Sequence, residues 1–531
     1  MVLGDLRSMS KKKNNSKQSE AKSIARDTYL NLRIASISFG LFLLFVIPLV
    51  IWLSHDSHEE VYQSSYAGSD TCGGCHLINH SGWKNSPHRN ITRKPTYESV
   101  VGDFQSGEWY IPEEDRVNKL DQLPAIKTYQ QGDEYFMSLR YPDSTDYYPF
   151  KIDRVVGYQY RQTYLTREAE GVLRRLPVQW STARGDFFAY WNEQEKSQHS
   201  VKDLWAQMKP LNSAWNLYCA RCHTTHLDIK SKNGAHTFAD VEWSEEGVSC
   251  ESCHGPGQKH VDYMENNPSN RLVSFVNNQV FDKAVPYIMN ASKTERGVAL
   301  SVCARCHGSD ILRKRMDIYR KYEPGFDQHG RLNDLSMYFT EAKLQPGSNA
   351  PTVEVWQDGR PKGLGTLFRS FADSSHYEQT DLRCYACHNP HQNKLAAEPG
   401  LLQSSNQSNE FCLNCHTDKK DKVAEHSHHQ AGTQGSFCYD CHMPKNISNV
   451  VAGDQHFVRS HNMGSIPNPL TSIRYGLEKS PNACNECHQD KSPQWAVDHL
   501  KDWNQTSHLL DVKVHLHSTA KSDLVHKSAS E

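Results

Sequence analysis

The chain has 531 residues, 37% of them hydrophobic and 10% aromatic, with a formal net charge of −2. That apolar share is small for the cores of two or more lobes, yet the aromatic content argues against disorder, so something besides side chains is expected to fill the interior. No large basic patch is present, and nucleic acid is not expected as a partner.

The N-terminus sets the compartment. Residues 1–33 form a basic segment with eight cations, Arg7, Lys11, Lys12, Lys13, Lys17, Lys22, Arg26 and Arg33. Ile34 to Leu53 follows as 20 residues without charge, long enough to span a bilayer, and no Lys or Arg recurs before Lys84. The positive-inside rule puts the N-terminus in the cytoplasm and the bulk of the chain on the periplasmic side of the inner membrane. The run is long for the apolar part of a signal peptide and no A-x-A site follows, so an uncleaved single-pass anchor is expected. Residues 54–67 read as a linker, 68–506 as the main domain and 507–531 as a polar tail.

All sixteen cysteines fall in eight copies of C-x-x-C-H. The first, Cys72-Cys75-His76, stands alone. The stretch after it alternates in hydropathy over Glu134 to Arg140, Tyr148 to Val156 and Gly171 to Ser181, which predicts a small antiparallel β element. Cys219-Cys222-His223, Cys250-Cys253-His254 and Cys303-Cys306-His307 then follow in quick succession. Ser309 to Gln379 reads as an insert with turn signals at Gln345-Pro346-Gly347 and Asp358-Gly359. Cys384-Cys387-His388, Cys412-Cys415-His416 and Cys438-Cys441-His442 crowd together, and Cys484-Cys487-His488 closes the series. Spacers this short favour helices and loops over sheet. Trp495 to Trp503 reads as a last helix.

C-x-x-C-H is the attachment signature of c-type haem: two thiols add to the two vinyl groups of one porphyrin, and the next residue turns its imidazole onto the iron. Zinc sites do not require His after every second Cys, and with 29 histidines in 531 residues eight coincidences have odds of roughly one in ten billion. No cysteine is left over for a disulfide framework. Eight c-type haems, each with iron, are therefore expected on Cys72, Cys75, Cys219, Cys222, Cys250, Cys253, Cys303, Cys306, Cys384, Cys387, Cys412, Cys415, Cys438, Cys441, Cys484 and Cys487. The proximal ligands are His76, His223, His254, His307, His388, His416, His442 and His488.

Twenty-one further histidines can supply second axial ligands. His226 and His391 lie three residues after a proximal His, and His260 six. Such tethers are too short to reach round the same porphyrin, so any of these side chains that binds iron binds that of a neighbouring haem, with His260 and His391 the preferred ligands over His226. His88, His199, His260, His376, His391, His428, His429 and His456 are the distal candidates, with one ligand expected from the cluster His426, His428 and His429. His461 lies beside His456 and is a weaker choice, while His499 and the tail histidines read as solvent-exposed. Low-potential bis-His haems are the expectation.

The segments Trp215-Asn216-Leu217-Tyr218-Cys219-Ala220-Arg221-Cys222-His223, Val248-Ser249-Cys250-Glu251-Ser252-Cys253-His254-Gly255-Pro256-Gly257, Cys384-Tyr385-Ala386-Cys387-His388-Asn389-Pro390-His391 and Pro481-Asn482-Ala483-Cys484 resemble paired-CXXCH octahaem c-type cytochromes. These relate to the tetrahaem cytochrome of the hydroxylamine oxidoreductase system and distantly to pentahaem nitrite reductase. The likeness runs over about residues 68–504. It implies distal roles for His260 and His391, and His88 and His456 also match family positions. The expected fold is mainly α and irregular, organised around packed haems, with the small β element between haems 1 and 2 and one N-terminal transmembrane helix.

Two functions follow. The first is a membrane-tethered electron carrier, fed by quinol or a quinol-oxidising protein and discharging to a periplasmic or outer-membrane acceptor, alone, as an oligomer or within a respiratory complex. The second is a reductase or oxidoreductase acting on nitrite, hydroxylamine or a sulfur oxyanion at one haem with an open axial position. No C-x-x-C-K motif is present, which weighs against the lysine-ligated active haem of nitrite reductases.

Overall fold

The structure is a computed structural model. It describes residues 26, 28–42, 44–46, 49, 64–157, 159–168, 171–182, 184–189, 200–209, 214–232, 235–308, 356–363, 367–391, 408–448, 457–463 and 469–503.

The chain divides into two compact units. Residues 1–58 and 263–286 make the first. Helix α1, Thr28–Val46, is the one helix among the described residues long and apolar enough to cross a membrane. The same unit holds the helix Pro268–Gln279, capped by the Asn267 side chain and started by a proline at its first position.

The second unit, residues 59–262 and 287–531, carries all eight motifs. Three short helices open it: α2 (Ser69–Cys75), α3 (Leu77–Lys84) and α4 (Pro87–Asn90). Ten strands follow in two antiparallel sheets. The four-stranded sheet runs in sequence order through β2 (Glu108–Trp109), β3 (Ile126–Gln131), β4 (Glu134–Arg140) and β5 (Tyr147–Lys151). Its central pair registers Ile126 with Leu139 and Gln131 with Glu134 across a two-residue turn. Gly132 takes φ +61° there, a conformation that costs glycine nothing.

The six-stranded sheet is ordered β1-β6-β7-β9-β10, with β8 (Leu173–Arg175) also paired to β7 (Arg161–Arg167). Its remaining strands are β1 (Thr92–Arg93), β6 (Arg154–Val156), β9 (Val178–Ser181) and β10 (Asp186–Ala189). Its two faces do different things. Val155, Tyr164 and Val178 join Ile126, Met137 and Leu139 in the largest apolar core, closed by helix α5 (Val201–Met208) through Leu204. Val156, Leu165 and Leu173 pack instead on Trp215 and Ala220, around the second motif.

The expected antiparallel β element is thus real and larger than small. A hairpin the sequence reading did not foresee follows the second motif, β11 (Thr224–Lys232) with β12 (Ala235–Glu246). Beyond Tyr287 the described residues form short helices and the two-residue strands β13 (Ile447–Ser448) and β14 (Phe457–Val458), in line with the expectation of helices and loops.

Candidate functional site

Each motif sits at a short helical turn, which puts the two cysteines on one face and the histidine beside them. The second motif lies on α6 (Trp215–Tyr218) and α7 (Ala220–His223), the third on α8 (Cys250–His254) and the fourth ends α11 (Arg296–His307). Four more helices, numbered in chain order after α12 (Leu367–Ala372) and α13 (Ser375–Gln379), carry the rest: α14 (Cys384–Cys387), α15 (Glu410–Leu413), α17 (Cys438–His442) and α19 (Ala483–Cys487). All sixteen thiols are free of disulfides.

Seven of the eight motif histidines face a second histidine. His76 faces His260 with ring centres 6.5 Å apart, and His307 faces His88 at 6.3 Å. His254 faces His391 at 6.0 Å and His388 faces His461 at 6.0 Å. His416 faces His376 at 5.9 Å, His442 faces His426 at 6.1 Å, and His488 faces His429 at 6.2 Å. Two imidazoles on one metal, each with about 2 Å from nitrogen to metal and about 1 Å from nitrogen to ring centre, need centres about 6 Å apart. The residues present fit an iron between each pair.

The surroundings prepare these rings. His254, His429 and His461 each donate an Nδ1–H to a backbone carbonyl, those of Met289 (2.7 Å), Ser427 (2.6 Å) and Arg459 (3.1 Å). That fixes the tautomer and leaves Nε2 as the ligating nitrogen. Burial lowers the pKa of His88, His442 and His461 to about 4, which keeps them neutral, the form that binds metal.

His88 is held from far away in sequence: Val248 N–H donates to its carbonyl at 2.9 Å and Arg89 Nη1 donates to Glu246 O at 3.2 Å. Gly247 makes this approach possible, because a Cβ there would stand 2.2 Å from the Arg89 oxygen.

The motifs also touch one another. The thiols of Cys72 and Cys250 lie near enough to shift each other's proton affinity, as do those of Cys222 and Cys306, Cys303 and Cys384, and Cys412 and Cys438. A weaker electrostatic influence links Cys253 to Cys306, Cys387 to Cys415, and Cys441 to Cys484. With haem attached, these sulfurs would be thioethers on porphyrin edges. The contacts therefore order the motifs 1-3-4-5-6-7-8 in one file, with motif 2 branching from motif 4.

His223 differs. It is buried, which lowers its pKa to about 4, with the positive charge of Arg161 as a second cause. Among the described residues no histidine faces it; its ring neighbour is Trp215, edge-on at 6.1 Å.

Of the distal candidates, His88, His260, His376, His391 and His429 stand opposite motif histidines. His199 and His456 lie outside the described residues. His428 stacks on Trp503 at 4.1 Å and His226 on Tyr66 at 3.9 Å, neither beside a motif histidine. His461 and His426, which sequence spacing does not favour, also stand opposite motif histidines. The cluster yields two facing rings rather than one, because α16 (Val423–Ser427) ends at a left-handed His428 (φ +55°) that turns His429 away from His426. That reversal has no signal in spacing alone.

Residues 377–421 match the family model for the doubled CXXCH motif, and residues 178–255 match that for cytochrome c554 and c-prime. The chain is a multihaem c-type cytochrome. It is 21% identical over 432 residues to the dissimilatory sulfite reductase MccA of Wolinella succinogenes, covering 72% of this chain and 51% of that protein. It is 35% identical over 211 residues to the multihaem cytochrome MtrA of Shewanella baltica, covering 39% of this chain and 49% of that one. The chain thus spans about half the length of the curated relatives it matches. Among solved structures, the outer cell wall cytochrome OcwA aligns with TM-score 0.48 and 16% identity, over 82% of this chain and 87% of that chain.

Proposed function

We propose that the chain is an octahaem electron carrier, anchored by α1 in the inner membrane and working on its periplasmic side. The observation that carries this reading is the seven histidine pairs at the separation of a bis-His iron, on motifs whose thiols influence one another in series. Haems closed on both axial faces exchange electrons and bind no substrate, which suits a carrier. The first motif follows the apolar segment most closely in sequence, so haem 1 is the entry from a quinol-side donor. Haem 8 ends the file and is the exit to a periplasmic or outer-membrane acceptor. His76, His254, His307, His388, His416, His442 and His488 are the proximal ligands along the file, with His260, His391, His88, His461, His376, His426 and His429 opposite them.

The test is full-chain protein in lipid nanodiscs, reduced by a quinol and then mixed with a soluble oxidant. Eight haems per chain and one shared pool of electrons are expected. Fewer haems, or groups of haems that exchange no electrons with one another, would overturn the reading.

His223 favours a second reading, a reductase at haem 2. No histidine among the described residues faces it, and the Arg161 charge acts on it. The similarity to a sulfite reductase points the same way. The substrate would be an oxyanion such as sulfite or nitrite, or else hydroxylamine. Turnover of one of these with a reduced viologen dye would establish it, and no turnover on any would remove it.

A further inference from the structure

Glu251 is the second residue of the third motif, Cys250-Glu251-Ser252-Cys253-His254, and is 1% exposed. A carboxylate so placed needs partners, and its partners are three backbone N–H groups. Oε1 accepts from Ala67 N and from Gly257 N, both at 2.8 Å, and Oε2 accepts from Gly68 N at 2.9 Å.

These donors start two different elements. Ala67 and Gly68 lead into α2, which carries Cys72 and Cys75 and ends at His76. Gly68 is the N-cap of α2 and has no side chain to offer; Glu251 accepts the N-cap's own N–H from 183 residues away, beside Glu245, which accepts from Ser69 N at 3.2 Å. Gly257 precedes α9 (Gln258–Asn266), which carries His260. A Cβ at Gly257 would lie 3.3 Å from Glu251 Oε1, so the turn and the carboxylate are fitted closely. Two further bonds stitch the same segments together, Gln258 N to Ser65 O at 3.0 Å and Lys259 N to Ser64 Oγ at 2.8 Å.

We propose that Glu251 is a positioning residue for haem 1: from within the motif of haem 3, its one carboxylate fixes the helix of His76 and the helix of His260, and so holds the facing pair across haem 1. The inference rests on reading His76 and His260 as axial ligands. A carboxylate suits three converging N–H donors because both its oxygens accept. Glutamine has the same shape but turns an NH2 toward one of those donors, which opposes it.

The test compares Glu251→Gln, Glu251→Asp and His260→Ala in the full chain. Carbon monoxide uptake by the reduced protein counts open haems, and EPR of the oxidised protein counts high-spin ones. His260→Ala is expected to open one more haem per chain than the parent. Glu251→Gln is expected to open the same haem, with the same high-spin signature, while Glu251→Asp, keeping two acceptor oxygens, largely restores the closed state. If His260→Ala opens a haem and Glu251→Gln only lowers thermal stability with every haem still closed, Glu251 is merely structural and the proposal falls. If His260→Ala opens nothing, the ligand pair is wrong and the proposal falls with it.

Discussion

Two regions of the larger unit hold together by different means. Between Thr92 and Ala189 the buried set is rich in large apolar side chains, Ile126, Met137, Leu139, Ile152, Tyr164 and Leu165 among them, on paired strands. That is an ordinary protein core, and apolar burial at roughly 25 cal/mol per Å² can sustain it. Among the described residues between 367 and 503, nine small polar side chains are buried, Ser370, Ser374, Ser436, Asn446, Ser460, Ser472, Ser480, Asn482 and Asn485, against eight apolar ones, three of them alanine. The apolar cluster there is small, with Phe368 and Phe371 against Leu300 and Ala304. A region that buries hydroxyls and amides and little hydrocarbon needs apolar volume from elsewhere, and four C-x-x-C-H motifs in 105 residues supply the porphyrins to provide it.

The contrast can be broken most severely by removing one haem. Replacing both Cys438 and Cys441 by Ala is expected to unfold much of residues 367–503 while residues 92–189 stay protected. Limited proteolysis with haem staining reads this, and equal loss of protection in both regions would mean the sheets also depend on haem. The converse change is Met137→Ala in the β core, which removes a fully buried side chain. It is expected to cost about 3 kcal/mol in denaturant unfolding and to leave haem content unchanged.

A smaller effect, of about 2 kcal/mol, is expected from Asp358→Asn, whose carboxylate accepts from Ser480 of the motif-rich region. Burial alone would raise the pKa of Asp358, but the Arg360 guanidinium and hydrogen bonds from Arg360 and Ser480 outweigh it and hold the carboxyl below its ordinary value. Arg360 Nε donates to Asp358 Oδ2 at 2.8 Å. A lowered folded-state pKa adds stability above the ordinary carboxylate range, and that share is lost as pH falls through the folded value. Acid unfolding of the Asn variant should therefore be less steep, and an unchanged acid profile would count against the clasp. The smallest change is Glu134→Gln, which removes an exposed ion pair with Lys151 on the hairpin and should cost under about 1 kcal/mol.

Much of this was legible in the sequence because it rests on covalent or local rules. Eight identical motifs name the expected haem-attachment residues directly, and the apolar-rich run over Glu134 to Arg140 marks a strand. The antiparallel strands between the first two motifs were legible for the same reason, although their extent was not. The partner of each motif histidine was harder, since it depends on which distant turn folds back. His88 reaches its place because Gly247 admits the Arg89 carbonyl, a contact spanning 158 positions. His461 and His426 carry no spacing signal of their own, and the left-handed backbone of His428 is what turns His429 away from His426. The long hairpin after His223 is not legible from the sequence because its strands begin directly at the second motif, where short spacers point to helices and loops.

The most direct measurement is EPR of the oxidised full chain, with signals integrated per haem before and after adding sulfite, nitrite or hydroxylamine. Seven low-spin bis-His haems are expected, unmoved by any addition, with any ligand-sensitive high-spin signal confined to one haem and abolished by replacing Cys219 and Cys222. High-spin signals from two or more haems, or ligand-induced shifts spread along the file, would contradict the paired-histidine account.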